Sequence, residues 1–398
     1  MHSFCIKVNK IVLYLFPLIT YWGYSCIFTD IKVWKMLQFV LIPLIFFNAV
    51  NVFLKRNKSV ITKKVMLIFF LALLSIIMSF LIWNQNVILG YRVTAPFLSL
   101  VFYFFLVKND FTDQEIERLI VFYGVVWIFV WLVNMLSPVP IFGLLDIEDI
   151  NDSRGIIRFM IQGDGFLYLL FFLMFNKWLQ QRKKIYLYFC VCVFVIIVLQ
   201  VTRQTIASCC LIVLYYLLKN RRCLFWCLCS LAIVWTFADI NLPKNSVFGH
   251  MTELTRNQYE ENFSKKTNVR LEAYDYFFTK YSPNTWAEIF GNGLPHDDSV
   301  YGQMYTRLRF TRRIFYSDVG YAGIYLMMGA CGLIAFAGLF YTVVKTPVVD
   351  ARRLYAKMFV VYLFVCNFVS FVILSCIVPM TVALYMLNKE CKQSKRIR

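Results

Sequence analysis

Charged residues are scarce in this sequence. Only 16% of its 398 residues are Asp, Glu, Lys or Arg, whereas an ordinary soluble protein has roughly 25%. Apolar and aromatic residues make up 60%, enough for about a dozen membrane spans of roughly 20 residues each. This composition excludes a soluble globular protein and a disordered chain. We interpret the sequence as an all-α polytopic membrane protein.

The apolar residues fall into long runs separated by polar segments. Each run except the last fits one membrane-spanning helix. The last run has 34 residues, and Ser370 and Pro379 inside it predict two short helices that meet near residues 371–375. The sequence therefore predicts about twelve spans, from runs at about 11–28, 36–54, 65–83, 91–107, 119–137, 161–176, 185–201, 205–218, 224–239, 318–344 and 355–388.

Acidic residues are also few, 22 against 41 basic residues, which gives a net charge of +19. If both termini are cytoplasmic, the cytoplasmic segments hold 25 of the basic residues but only 6 of the acidic ones. The outer segments hold the remaining 16 basic and 16 acidic residues. The whole positive excess then lies inside, as the positive-inside rule requires, and nucleic acid is not needed to explain it. The cytoplasmic segments are 1–10, 55–64, 108–118, 177–184, 219–223, 345–357 and 389–398.

The sequence offers no disulfide framework and few metal ligands. None of its 13 Cys lies in the large outer loop, and it has only three His. The three cysteines within 223–229 have no His partner, so we interpret them as buried small residues. The acidic run Asp146–Asp149 could bind a divalent cation but stands alone, and a solvated loop explains it more simply. We expect no bound metal ion and no other cofactor.

Three regions follow from the predicted spans. Residues 1–239 carry spans one to nine, 240–317 form a 78-residue outer loop, and 318–398 carry spans ten to twelve and a basic tail. The first apolar run has no small-residue cleavage site after it, so we expect an uncleaved anchor.

The large loop carries structural signals of its own. Residues 268–281 predict a helix that Ser282–Asn284 would end, and Gly291–Pro295 predict a turn. The loop also holds 15 aromatic residues. A solvated linker would not need so many rings, so we expect them to pack on the membrane domain or to line a cleft.

Arg203 is a candidate for binding phosphate. It stands with Gln200 and Gln204 at the short hairpin between spans seven and eight. An arginine at the head of an apolar helix is often only an interfacial anchor. Because this hairpin is short, the guanidinium is held at the membrane surface, where its planar donors suit a phosphate or pyrophosphate.

The outer loops carry further arginines. Arg270 lies on the predicted loop helix, where a solvated charge is the alternative interpretation. Four arginines within seven residues precede span ten, although positive residues are normally kept off the outer face. Local ion pairs could explain them, as could a polyanionic head group or an acidic glycan. These four are Arg307, Arg309, Arg312 and Arg313, and another pair, Arg154 and Arg158, lies in the loop before span six.

Two residues are candidate general bases. His296 follows the glycine turn beside Asp297, and Asp318 lies where span ten begins. Asp164 is one of few acids near a span interior, a position that is mildly indicative of function. The two outer histidines, His250 and His296, would make a poor metal site by themselves.

Three local motifs resemble a known family. They are Val201-Thr202-Arg203-Gln204 leading into a helix, Arg270 followed by an aromatic helix, a Pro and Gly291-Asn292-Gly293, and Ser317-Asp318-Val319-Gly320-Tyr321 leading to Gly329-Ala330-Cys331-Gly332-Leu333-Ile334. With many spans and a late, large outer loop, the chain resembles the Wzy-type O-antigen and capsule repeat-unit polymerases and their relatives, the O-antigen ligases.

The resemblance implies a GT-C-like membrane glycosyltransferase in the bacterial cytoplasmic membrane. Such an enzyme transfers an oligosaccharide from undecaprenyl pyrophosphate to another lipid-linked repeat unit, among membrane lipids, with a chain-length regulator and a flippase as candidate partners. Arginines matching Arg203 and Arg270 would hold the pyrophosphates. We expect Arg203, Arg270, His296 and Asp318 to be catalytic, and Gln204 and the six other arginines named above to bind substrate.

Two alternatives stay open. The ligases tend to carry a His with a following Asn near the end of the loop, whereas this sequence has His296-Asp297-Asp298, which favours a polymerase. A lipid-linked oligosaccharide transporter or flippase would place ionisable groups near the bilayer midplane and often show repeat symmetry. Here the spans are nearly free of charge.

Overall fold

The apolar runs form helices. A computed structural model describes residues 2–55, 58–137, 139–143, 159, 161–200, 202–218 and 269–397, and all regular secondary structure in these ranges is helical. The helices are α1 (His2–Thr20), α2 (Ile31–Leu54), α3 (Val60–Trp83), α4 (Val87–Leu98), α5 (Val101–Asn109), α6 (Asp113–Leu136), α7 (Asp164–Gln181), α8 (Lys184–Leu199), α9 (Arg203–Leu218), α10 (Val269–Thr279), α11 (Thr285–Phe290), α12 (Val300–Arg312), α13 (Gly320–Lys345), α14 (Leu354–Cys366), α15 (Val372–Ser375) and α16 (Ile377–Ile397).

Four of these helices, α2, α3, α6 and α13, are long and apolar enough to cross a membrane. The pair α4 and α5 would form a fifth span with a bend of 48°. Shorter apolar helices occur in α1, α8 and α9. The described part of the chain is thus an all-α protein with four to five candidate membrane spans.

Each described apolar run coincides with a helix or a helix pair, and the run 224–239 lies outside the described residues. The first helix differs from its predicted bounds, because it ends at Thr20 rather than near residue 28. Gly23 and Tyr24 adopt φ values of 58° and 60° in the turn that follows, which an α-helix cannot accommodate. The last run divides as predicted, since α14 ends at Cys366 and α16 begins at Ile377.

Local capping explains where several helices begin. The Thr112 hydroxyl accepts from the N–H of Glu115, whose carboxylate accepts from the N–H of Thr112, so α6 starts with a reciprocal capping box. Ser59 likewise caps α3 by accepting from the N–H of Thr62.

Charged residues from distant segments meet at one end of the helices, which we call the ion-network end. Arg353 bonds Asp113 at 2.6 Å and Glu390 at 2.9 Å, and Lys389 also bonds Asp113 at 3.0 Å. Further ion pairs and hydrogen bonds join Lys10 to Glu115, Lys177 to Glu117, Asn9 to Asn109 and Ser59 to Asn388. Six of the seven segments predicted to be cytoplasmic thus contribute residues to one end.

The described part of the large loop gathers at the opposite end, the loop end. The predicted loop helix is present as α10, and Asn284 caps the next helix, α11. The glycine turn of the loop, Gly291–Pro295, is buried between α3 and α13, a position that the sequence did not predict. The N–H groups of Asn292 and Gly293 donate to the carbonyls of Leu326 and Met327 at 2.7 and 3.3 Å.

Helix α13 is broken where it receives this turn. Gly329 has φ 62° and ψ −160°, a conformation that only glycine adopts readily. A Cβ atom at Gly329 would lie 2.4 Å from the carbonyl oxygen of Ile289. The break therefore allows loop backbone to approach α13 closely, and it leaves carbonyls of α13 available to accept from the loop.

Candidate functional site

The segment that joins α14 to α15, the linker 367–371, lies at the loop end of the helices. The Nε2 of Gln204 donates to the hydroxyl of Ser370 at 2.9 Å. Gln204 is the second residue of α9, so Arg203, the first residue of that helix, lies beside the linker. Arg203 is half-buried. The hairpin that the sequence singled out is therefore fixed to the last apolar run of the chain.

Helix α10 of the loop reaches the same linker. The hydroxyl of Tyr274 donates to the carbonyl oxygen of Phe368 at 2.8 Å. Arg270 lies one helical turn before Tyr274, and residues four apart are neighbours on a helix surface. Arg270 is exposed. The structure thus brings the segments that carry Arg203 and Arg270 to one short linker, although 67 positions separate the two arginines in the sequence.

A third candidate, Asp318, also lies at the linker. The N–H of Phe371 donates to the carbonyl oxygen of Ser317 at 2.7 Å, and the Ser317 hydroxyl lies 3.4 Å from the Asp318 carboxylate. The Asp318 side chain is exposed just before α13 begins. A carboxylate is therefore present near the two arginine-bearing segments.

Tyr305 and Tyr316 form an aromatic pair beside Asp318, with ring centroids 5.1 Å apart. The guanidinium of Arg309 lies 5.9 Å from the ring of Tyr305. Burial raises the pKa of both phenols, and the carboxylates of Asp318 and Asp297 raise it further at Tyr305 and Tyr316 respectively. Both hydroxyls therefore stay protonated at neutral pH.

The four arginines before α13 divide into two pairs. Arg309 and Arg312 lie over aromatic rings, the latter 5.1 Å from the ring of Tyr276. Arg307, Arg312 and Arg313 are exposed, and Arg309 is half-buried. Within the described ranges none of the four forms an ion pair with a carboxylate.

His296 is constrained by its surroundings. Its backbone N–H donates to Oε1 of Gln85 at 2.9 Å, and its Nδ1 accepts from the N–H of Asp298 at 3.2 Å. That bond places the proton of a neutral ring on Nε2. To act as a base, the ring would have to release the Asp298 N–H, so the geometry makes Asp318 the more accessible candidate.

The remaining candidates are not all described. Arg154 and Arg158 lie outside the described residues, as do His250 and the acidic run Asp146–Asp149. Among the residues that are described, no three of His, Cys, Asp and Glu are grouped to hold a metal ion. Asp164 begins α7 and lies 3.2 Å from the hydroxyl of Tyr168.

The sequence did not indicate that the linker 367–371 is a functional element. Its signal was two polar residues three positions apart, Asn367 and Ser370, inside a mostly apolar run. Asn367 is fully buried, and within the described part of the chain its Nδ2 has no hydrogen-bond partner. A Cβ atom at Gly320 would lie 2.5 Å from the Asn367 carbonyl oxygen, so the start of α13 packs directly on the linker.

Comparison with known protein families and with curated proteins finds no match to this chain. The class of protein is therefore defined by the fold and the site alone. The described part of the chain is all-α, with candidate membrane spans, an ion network at one end, and arginines, tyrosines and a carboxylate at the other.

Proposed function

We propose that the protein polymerises undecaprenyl-pyrophosphate-linked oligosaccharide repeat units of a bacterial surface polysaccharide, at the outer face of the cytoplasmic membrane. The observation that carries the proposal is the meeting of the Arg203 and Arg270 segments at the linker 367–371. Two guanidiniums, one at the start of the apolar helix α9 and one on the loop helix α10, suit the diphosphate of a lipid-linked sugar.

The reaction requires positive charge to stabilise the departing pyrophosphate and a base to accept the proton of the acceptor hydroxyl. The bond between the anomeric carbon and the phosphate oxygen breaks, and the acceptor sugar hydroxyl forms the new glycosidic bond. Arg203 and Arg270 would stabilise the negative charge that grows on the departing pyrophosphate. The proton of the acceptor hydroxyl would pass to Asp318, or to His296 if its ring is released from Asp298.

The proposed architecture has about twelve spans in a GT-C-like arrangement with both termini inside. The ion network lies at one end of the helices and the described part of the large loop lies at the other. This separation supports the proposed architecture, because spans that alternate in direction place cytoplasmic segments on one side and outer loops on the other. The loop would then lie outside, where its aromatic rings could contact sugars.

A transporter is the second candidate, and one observation favours it. Transporters often bind substrate at discontinuous helices, and α13 is broken at Gly329. In this protein, however, backbone N–H groups of the loop donate to carbonyls of α13 beside the break. The break therefore has a structural explanation that needs no substrate. A ligase-type transferase would use the same arginines, so glycan analysis must separate it from a polymerase.

The test compares surface glycans of a deletion strain complemented with wild type, Arg203→Ala or Arg270→Ala. Polymer formation should fall at least about 100-fold in each variant, the effect of removing one donor to a transition-state charge. Lys at either position should rescue only in part because it lacks the planar fork. Arg92→Ala is the matched control, since Arg92 is an exposed arginine of α4 outside the site.

The pattern of products separates the candidates. A polymerase deletion leaves single repeats on the lipid core, whereas loss of a ligase or flippase leaves none. Normal glycan ladders from an Ala variant would remove that arginine from the site, and normal ladders from the deletion strain would overturn the proposal.

A further inference from the structure

The glycine turn of the large loop lies well inside the ends of the two helices that enclose it. A Cβ atom at Gly293 would lie 2.5 Å from the carbonyl oxygen of Ser75, and α3 continues from there to Trp83. A Cβ atom at Gly329 of α13 would lie 2.6 Å from the backbone nitrogen of Gly291. At about 1.5 Å per residue, these contacts are roughly 12–14 Å from the loop ends of both helices.

This position corresponds to a depth within the membrane. Both helices are candidate membrane spans, of 24 and 26 residues. Their lengths of about 36 and 39 Å exceed a hydrocarbon core of about 30 Å, so an even overhang is only roughly 3–5 Å at each end. The turn then lies roughly 9 Å inside the hydrocarbon. The side chains that α3 exposes at this level, Ile77 and Phe80, are apolar.

The backbone of the glycine turn is satisfied by protein groups. Non-helical backbone is tolerated at membrane depth only where it is buried in this way. Residues 291–295 are all buried. Besides the two N–H groups that donate to α13, the N–H of Gly291 donates to the carbonyl of Ala287 at 2.9 Å. The carbonyl of Gly293 accepts from the hydroxyl of Tyr301 at 3.1 Å. The turn therefore has the hydrogen bonding of a re-entrant segment.

Helix α11, which leads into the turn, exposes an apolar face. The rings of Trp286 and Phe290 stack with centroids 5.9 Å apart, and Ile289 lies beside them on the helix. Trp286 is 66% exposed and Ile289 38%. Ala287 is buried, since α11 packs against α3 and α13. The exposed Glu288 lies almost half a turn round the helix from the apolar face. Such a helix, apolar on one side and charged on the other, suits the membrane interface.

We propose that residues 285–294 re-enter the membrane at the loop end and that the apolar face of α11 contacts the lipid of that leaflet. The depth of the turn, its satisfied backbone and the exposed rings of α11 each support this placement. The inference does not depend on the proposed reaction. The large outer loop of the proposed architecture would dip into the membrane at this segment instead of lying wholly outside.

Fluorescence quenching of the full-length protein in lipid nanodiscs tests the inference. A genetically encoded fluorescent amino acid replaces Ile289 or Trp286, and two positions guard against a variant that fails to fold. The quenchers are phosphatidylcholine with bromines on its acyl chains and iodide in the buffer. Val40 is the lipid control, because it is 55% exposed and lies about as far from the start of the candidate span α2 as Gly329 does from that of α13. Gln303, exposed on α12, is the water control.

An interfacial helix lies about 5–10 Å into the boundary between head groups and acyl chains, so brominated lipid should lower the fluorescence at 289 and 286 at least about twofold. Iodide should quench these positions no more than it quenches position 40. The opposite pattern is expected at position 303.

Two results would overturn the inference. Quenching by iodide at 289 and 286 to the extent seen at 303 would place α11 in an aqueous cleft. Quenching by neither reagent would show that protein covers the apolar face. Because no substrate is present, either result leaves the proposed polymerase untouched, and normal glycan from the deletion strain would leave the re-entrant segment in place.

Discussion

The indole Nε1 of Trp83 donates a hydrogen bond of 3.0 Å to Oδ1 of Asn292, although 209 positions separate the two residues. Trp83 ends α3, and its ring stacks on that of Tyr301 with centroids 4.7 Å apart. Asn292 is fully buried and also donates to the hydroxyl of Ser282 at 3.0 Å. A single amide thus ties two parts of the loop to the end of α3.

We expect Asn292→Ala to release the loop from α3. The change leaves the partly buried Trp83 N–H without its acceptor, at a cost of about 1–3 kcal/mol. Opening of the loop should therefore increase at least about fivefold, measured as the rate of limited proteolysis of the loop in spheroplasts. Gln303→Ala, at an exposed position of the same loop, should be digested at the wild-type rate. Equal rates for the two variants would refute the anchoring role.

Gly329→Ala should destabilise the protein, whereas Gly338→Ala on the same helix should not. An alanine at 329 would be strained by its backbone conformation and would place its Cβ 2.4 Å from the Ile289 carbonyl oxygen. At Gly338 the nearest atom is Nζ of Lys64 at 3.0 Å, the mobile end of a long side chain. There alanine gains up to about 1 kcal/mol in helix propensity. Thermal unfolding in detergent would measure both effects, and equal melting temperatures would contradict the role of the break.

Local sequence signals predicted the helices but not the contacts between them. The loop helix α10 was predicted because apolar and aromatic residues recur on one face before Pro283. The interruption of the last apolar run was predicted from Ser370 and Pro379. The break at Gly329 could not be predicted in this way, since its cause is a loop segment that docks from elsewhere in the chain.

For the candidate site, too, the sequence predicted individual residues but not the contacts that bring their segments together. Arg203 was selected for its chemical type and its place at the head of an apolar helix, and Arg270 for its place on the loop helix and for the family resemblance. The linker that unites their segments depends on hydrogen bonds between residues 166 and 94 positions apart. Such separations leave no periodic pattern in a single sequence, so Ser370 was recognised only as an interruption of an apolar run and Phe368 only as part of that run.

Arg353→Ala should destabilise the ion-network end strongly. The side chain is 7% exposed and bonds two carboxylates, one of which, on Glu390, is fully buried. Its removal leaves the buried carboxylate of Glu390 without this cation, at a cost of about 3–5 kcal/mol, whereas Asp113 keeps its bond to Lys389. The neighbouring Arg352 is 71% exposed and, among the described residues, pairs with Asp350 alone, so Arg352→Ala should cost at most about 1 kcal/mol. A smaller loss of melting temperature for Arg353→Ala than for Arg352→Ala would show that the network does not stabilise the fold.

Reporter fusions at Asn245 and at the C-terminus should report opposite compartments. The reason is the charge balance, since the predicted cytoplasmic segments carry the entire excess of 19 positive charges. Alkaline phosphatase activity is expected at Asn245, and fluorescence of a cytoplasmic reporter at the C-terminus. Both positions in the same compartment would refute the twelve-span topology.

Transfer is expected to need no metal ion bound by the protein. A divalent cation would normally neutralise a departing pyrophosphate, and it would need clustered carboxylates or histidines on the outer side. Here Arg203 and Arg270 can supply fixed positive charge before the bond breaks, without a step that recruits an ion. Purified protein given lipid-linked repeat units should therefore polymerise them at an unchanged rate in excess EDTA. Activity that disappears with the chelator and returns with magnesium or manganese would contradict this prediction and would make the acidic run Asp146–Asp149 the first place to look for ligands.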